Sequence, residues 1–161
     1  MQEDLKSILR HQFGAAIDML ENAIVACADH LWDSDTRFWY MAYHTLFYLD
    51  YYVSEEPERF MPPPPFTLSE FVSNGQLPDR VYSKEELLNY LAYGRQKCYD
   101  RIMGLSETGE GKRFANGRRD YSALEILIYN MRHVQHHAAQ LNLLLRLGKN
   151  EVPGWVSRTN N

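Results

Sequence analysis

Apolar residues recur at steps of three and four near the start of the chain, where Leu5, Leu9, Ala16, Leu20, Ile24, Cys27 and Leu31 share one side of a helical repeat. This predicts a first helix from about Glu3 to His30. Asp33, Ser34 and Asp35 then supply turn and N-cap chemistry. The next stretch, Thr36 to Val53, is dense in Phe, Trp, Tyr, Met and Leu. Aromatics favour strands by propensity. A run of about eighteen residues without Gly or Pro exceeds most strands, however, and predicts a second helix.

The pattern breaks between Ser54 and Pro78, with Pro57, four prolines at 62–65, Gly75 and Pro78. Four prolines favour extended polyproline II, so this long connection is expected to cross the molecule as a semi-rigid strap packing Phe60, Phe66 and Phe71 onto the core. Thr67 and Glu70 have the spacing of a capping box for one short helical turn within it. Ser83 and Glu86 form a second such box, opening a third helix through Leu87, Leu91, Cys98, Ile102 and Leu105, which Gly109 and Gly111 end. Lys112, Arg113, Arg118 and Arg119 read as a solvated loop. Ser122 and Glu125 open a fourth helix, which Gly148 stops after Leu147. Four long helices, with no strand alternation or internal repeat, predict a single domain over 1–161, all-α, built as a four-helix bundle. A connection of some 25 residues between helices two and three leaves end-to-end crossings open.

Composition narrows the function. With 161 residues and 45% apolar residues, the chain can bury one good core. A net charge of −4 argues against nucleic acid or an anionic membrane surface as a partner. The N-terminal MQEDLKSILRHQ lacks the basic-then-apolar order of a signal peptide, and no long apolar run suggests a membrane span, so a cytoplasmic location is expected. Cys27 and Cys98 sit inside helical patterns and read as two buried thiols.

The chemistry lies in the histidines. Each helical residue advances by about 100 degrees, so His133 and His137 lie one turn apart and can grip one ion. Ile126, Asn130, Gln140, Leu141 and Leu144 share their arc, which turns both imidazoles toward the core. His136 falls to one side and would replace one of the pair only on a rotated helix. A zincin reads H-E-x-x-H, whereas the segment here is His133-Val134-Gln135-His136-His137 with no glutamate, and a ferritin-like di-iron bundle needs Glu where Asn130 stands. A third ligand must come from another helix, and His44 stands among Tyr40, Met41, Phe47 and Tyr48, which predicts that it is buried. Three neutral imidazoles with an open position make a recurrent catalytic metal arrangement. The plainer alternative is a set of core histidines with no metal. His11 and His30 read as structural or exposed.

At these residues the chain resembles the DinB-like family, which includes the YfiT-type metalloenzymes. The resemblance runs through MAYHTLFYLDYY, RHVQHHAAQLNLLLR and the closing VPGWV. It implies a four-helix bundle of up-up-down-down type and a metal site of His44, His133 and His137, and Gln140 also fits the family's pattern. Ala139 stands where the family often has Gly. The family's activities include thiol-dependent transfer and isomerisation with low-molecular-weight thiols; the site itself suits metal-dependent thiol S-transfer or hydrolysis, with zinc or nickel as the ion given imidazole ligands and a low-molecular-weight thiol as co-substrate. The alternative is a non-catalytic metal-binding or damage-responsive interaction protein. The wide apolar arc of helix four, with Leu127, Met131, Ala138 and Leu145, together with the resemblance, predicts a homodimer.

Overall fold

Asp4 opens the first helix by accepting a hydrogen bond from the Ser7 N–H at 2.7 Å, and α1 runs Leu5–Ala26. This computed structural model describes residues 4–160, so the expected start at Glu3 lies outside the described residues. α1 ends short of His30 because Cys27 turns to extended backbone, and Asp29–Trp32 forms a separate one-turn helix, α2. Arg37, in the left-handed region at φ 52°, redirects the chain into α3, Phe38–Tyr52. The capping box at Ser83 and Glu86 is present and opens α4, Lys84–Met103, which stops at Gly104 before the expected glycines. Ser122 Oγ accepts from the Glu125 N–H at 3.1 Å, and α5 runs Ala123–Leu147 with Gly148 as its C-cap.

The protein is therefore mainly helical, with one addition. Phe114–Asn116 (β1) and Arg119–Tyr121 (β2) pair antiparallel, with Phe114 opposite Tyr121 and Asn116 opposite Arg119. The Asn116 side-chain oxygen accepts from the Arg118 and Arg119 N–H groups at 2.9 and 2.8 Å, which closes the turn. The loop expected to be solvated is thus a hairpin, anchored by Phe114, whose buried ring meets Tyr51 at 5.3 Å.

The strap also departs from expectation. The proline run bends at the cis Pro64–Pro65 bond, and the Phe66 N–H donates to Pro63 O at 3.0 Å. The Phe66 ring stacks on Tyr90, ring centres 4.2 Å apart. Phe60 and Phe66 are buried, while Phe71 remains exposed on one side and covers Phe47 and Tyr51 with the other. The turn at Ser69–Phe71 carries no side-chain cap, because Glu70 bonds elsewhere.

Cross-helix contacts fix directions. The start of α1 meets the end of α4 through Lys6 and Met103, and Arg95 forks between Asp18 and Glu21 of α1, 2.6 Å from each. These two helices are antiparallel. Lys97 and Tyr90 of α4 both donate to the fully buried Asp50 of α3, Gly94 lies against Leu49, and Arg101 reaches Glu55 just beyond α3, so α3 and α4 run parallel. On the other side α5 runs antiparallel to α3, with Tyr129 beside Tyr52 and His137 beside His44. The first two long helices are therefore opposed, contrary to an up-up-down-down order. The physical reason is length: the short α2 segment cannot return the chain along α1, whereas the strap can return it along α3.

The apolar arc of α5 is largely internal. Leu127, Ala138 and Leu145 are buried within the chain, leaving Ile128, Leu143 and Leu147 exposed on that helix. Both cysteines are free and buried, and burial raises both thiols, Cys27 to about 11. Among the described residues, no helix is long and apolar enough to cross a membrane.

Candidate metal centre

His44 projects from the middle of α3, with Tyr40 and Tyr48 one turn to either side, their ring centres 6.5 and 4.9 Å from its own. His133 and His137 project from α5, flanking the buried stripe of Ile126, Asn130, Val134, Ala138 and Leu141. α5 is held in register on α3 by Asn130, fully buried, which donates to Leu49 O at 3.0 Å. That register brings the three rings together, with centres 5.6 Å apart for His44 and His133, 4.9 Å for His44 and His137, and 4.6 Å for the α5 pair. One nitrogen from each ring lies within 4.8 Å of the others, the only such group of His, Cys or carboxylate ligands among the described residues.

Hydrogen bonds orient two of the rings. His44 Nδ1 meets Glu70 Oε2 at 2.6 Å, and His137 Nδ1 meets Gln140 Oε1 at 2.7 Å. Both contacts leave Nε2 as the remaining donor atom. His133 Nδ1 is buried without a partner, an arrangement that costs roughly 1 to 3 kcal/mol if nothing relieves it. Burial, reinforced by the neighbouring His137, His44 and His136, lowers His133 to about 3, and burial lowers His137 as well. These two rings are neutral at ordinary pH, the form in which imidazole binds a metal. Three inward imidazoles, two oriented from behind, fit a divalent transition metal ion.

The expectation that His44 is buried is not met. Its side chain keeps 30% exposure, and all three rings are part-open, because the site lies at the edge of the α3–α5 interface. His136 is exposed with its ring 5.0 Å from His137, outside the group. Glu70 is the residue that sequence reasoning missed, its carboxylate being read as a cap in a segment with no helical period. Tyr48 and Tyr52 also wall the site, their rings 5.7 and 5.8 Å from His133. The hairpin brings Arg119 over the Tyr52 and Tyr129 rings at 5.9 and 5.5 Å. A groove of about 690 Å³, lined by Gln12, Ala16, Tyr129 and Trp155 among others, reaches His133 but neither of the other two ligands.

No family model, no curated protein and no solved structure matches this chain.

Proposed function

We propose that the chain is a DinB-like metalloprotein in which His44, His133 and His137 hold one divalent transition metal ion, zinc or nickel. The observation that carries this reading is the convergence of three imidazoles from two helices. The helix directions support a single four-helix bundle whose long helices run up, down, down and up in chain order.

The activity we infer is transfer of a low-molecular-weight thiol to an electrophile, with hydrolysis as the variant reaction. When bound, the ion supplies Lewis acidity that lowers the pKa of a thiol or water meeting it. The chain's own residues do the rest. Gln140 holds the His137 ring in place. Tyr48 and Tyr52 exclude water from one side of the triad. Arg119, which has no ion-pair partner among the described residues, offers a positive rim above Tyr52 and Tyr129. The cysteines take no part, since both thiols are buried and held protonated.

A second reading, a non-catalytic metal-binding or damage-responsive interaction protein, is favoured by one observation: the groove meets only His133 of the three ligands. Metal-loaded protein is tested with an activated alkyl or aryl halide and, in turn, bacillithiol, mycothiol and glutathione. Conjugation that disappears in the folded His137→Ala variant supports the enzyme. Equal rates for wild type, variant and metal-free protein with all three thiols support the second reading.

A further inference from the structure

We propose, building on the metal-site reading above, that Glu70 is a positioning residue for the centre: from the strap, it fixes the His44 ring with Nδ1 protonated and Nε2 free to bind the ion. Glu70 lies 26 residues beyond His44 and belongs to a different element. Its carboxylate keeps only 3% exposure while the ring that it contacts keeps 30%. A carboxylate buried to that degree is retained only where a partner compensates for its lost hydration. The partner is His44 Nδ1, at the short distance of 2.6 Å.

The direction of the bond sets the tautomer. A carboxylate only accepts, so Nδ1 must carry the hydrogen, and the lone pair of the ring then lies on Nε2. The turn that carries Glu70 is itself fixed on α3 by the two tyrosines that bracket His44. Tyr43 OH donates to Thr67 O at 3.1 Å and lies 3.0 Å from Ser69 Oγ, and Tyr48 OH donates to Glu70 O at 3.4 Å. The carboxylate is thus aimed from a docked segment.

Two other roles fit less well. As a fourth ligand Glu70 would have an oxygen within the ligand group, and it has none there. As a mere latch for the strap it would need no particular ring nitrogen, yet its short bond goes to His44 Nδ1; the Tyr40 hydroxyl of α3, its pKa raised by burial and by the nearby Glu70, lies close, but the buried Oε1 makes no hydrogen bond of good geometry. Glu70 also differs from Gln140 behind His137. Gln140 supplies a neutral amide oxygen, whereas Glu70 places a carboxylate behind a centre whose ligands are all imidazoles.

Two variants separate these effects: Glu70→Gln, which keeps an acceptor and removes the charge, and Glu70→Leu, which removes both. The first measurement is the His44 tautomer in metal-free protein at pH 8, by two-bond proton–nitrogen correlation of ¹⁵N-histidine-labelled samples. The second is zinc and nickel affinity by competition with a chromophoric chelator, with melting temperature recorded for each variant. Wild type and Glu70→Gln should hold His44 with Nδ1 protonated. Glu70→Leu should lose that preference and bind metal about 10- to 100-fold more weakly, with Glu70→Gln in between. A wild-type His44 protonated on Nε2, or Glu70→Leu binding metal as tightly as wild type, overturns the proposal. Should Glu70→Leu not fold, the wild-type tautomer and the affinity of Glu70→Gln decide it. Should wild type take up no metal at all, the metal-site reading fails, and the metal-free tautomer still decides what Glu70 does.

Discussion

The side-chain amide of Asn130 donates to the backbone oxygen of Leu49 at 3.0 Å, a bond with no access to solvent that joins α5 to α3. It lies on the same two helices as the three imidazoles and fixes how far one is slid along the other. Asn130→Ala should therefore lower stability by about 1 to 3 kcal/mol, since it removes a buried donor and leaves a void. Denaturant unfolding measures the first effect. Metal affinity should fall as well, and an unchanged affinity in a destabilised variant would show that the register is held by packing alone.

The ligand set makes a sharper prediction. Protein purified without chelators should carry close to one zinc or nickel ion per chain, read by elemental analysis. His44→Ala, His133→Ala and His137→Ala should each abolish binding, whereas His136→Ala should leave it nearly intact, because that ring is exposed and outside the group. No metal in wild type, and no uptake on adding either ion, would leave a cluster of core histidines.

Metal-free protein should lose stability as pH falls below about 6.5. His133 is lowered to about 3 in the folded chain by burial and by its histidine neighbours, and His137 is lowered too. The unfolded chain binds these protons first, so the folded state is favoured above the ordinary histidine pKa and penalised as pH drops toward the folded value. Between pH 7 and 5, His133 alone should account for roughly 2 kcal/mol. Unfolding midpoints of wild type and His133→Phe at the two pH values test this. An equal pH dependence in the two proteins would place the titration elsewhere.

Gly14 makes a close approach rather than a turn. A Cβ there would stand 2.5 Å from Thr159 Cγ2 and 2.8 Å from the Tyr99 hydroxyl. Gly14→Ala should lower the melting temperature even though alanine is the better helix former by about 1 kcal/mol. Thr159→Gly should restore most of the loss in the double variant, and purely additive effects would show that the contact is not the cause.

Self-association rests on less surface than the hydrophobic pattern suggests. With Leu127, Ala138 and Leu145 internal, a dimer formed through α5 would have to use Ile128, Leu143 and Leu147. Light scattering should report twice the chain mass at micromolar concentration, and Leu143→Glu with Leu147→Glu should return it to one. A monomeric wild type rules the dimer out.

What the sequence made legible follows from the range of each signal. The period of α1, α4 and α5 is local, and so are the caps at Ser83 and Ser122 and the stop at Gly148, so both ends of α5 and the start of α4 fall where expected, while α1 and α4 stop several residues early. His133 and His137 share a face by helical geometry alone. The position of His44 against them depends on the slide between two helices, which the Asn130 bond records and no periodicity announces. The same limit hid Glu70: its spacing from Thr67 matches a cap, yet its carboxylate faces a residue on another element. Strands of three residues are too short to show alternation, so the hairpin escaped notice, although Asn116-Gly117 marks its turn. Helix direction has no periodic signature either; it is set by the short segment between α1 and α3, which cannot carry the chain back along α1.

The closing segment of the chain returns to its opening helix: the Thr159 N–H donates to His11 O at 3.2 Å, and Asn150 donates to Ala26 O. At about 5 to 20 residues per second of translation, the interval between His11 and Thr159 is on the order of ten seconds. Through that interval the apolar face of α1, with Phe13, Ile17, Leu20 and Ile24, has no α5 to cover it. Until α5 has emerged from the ribosome, that face of α1 is accordingly apolar surface open to water.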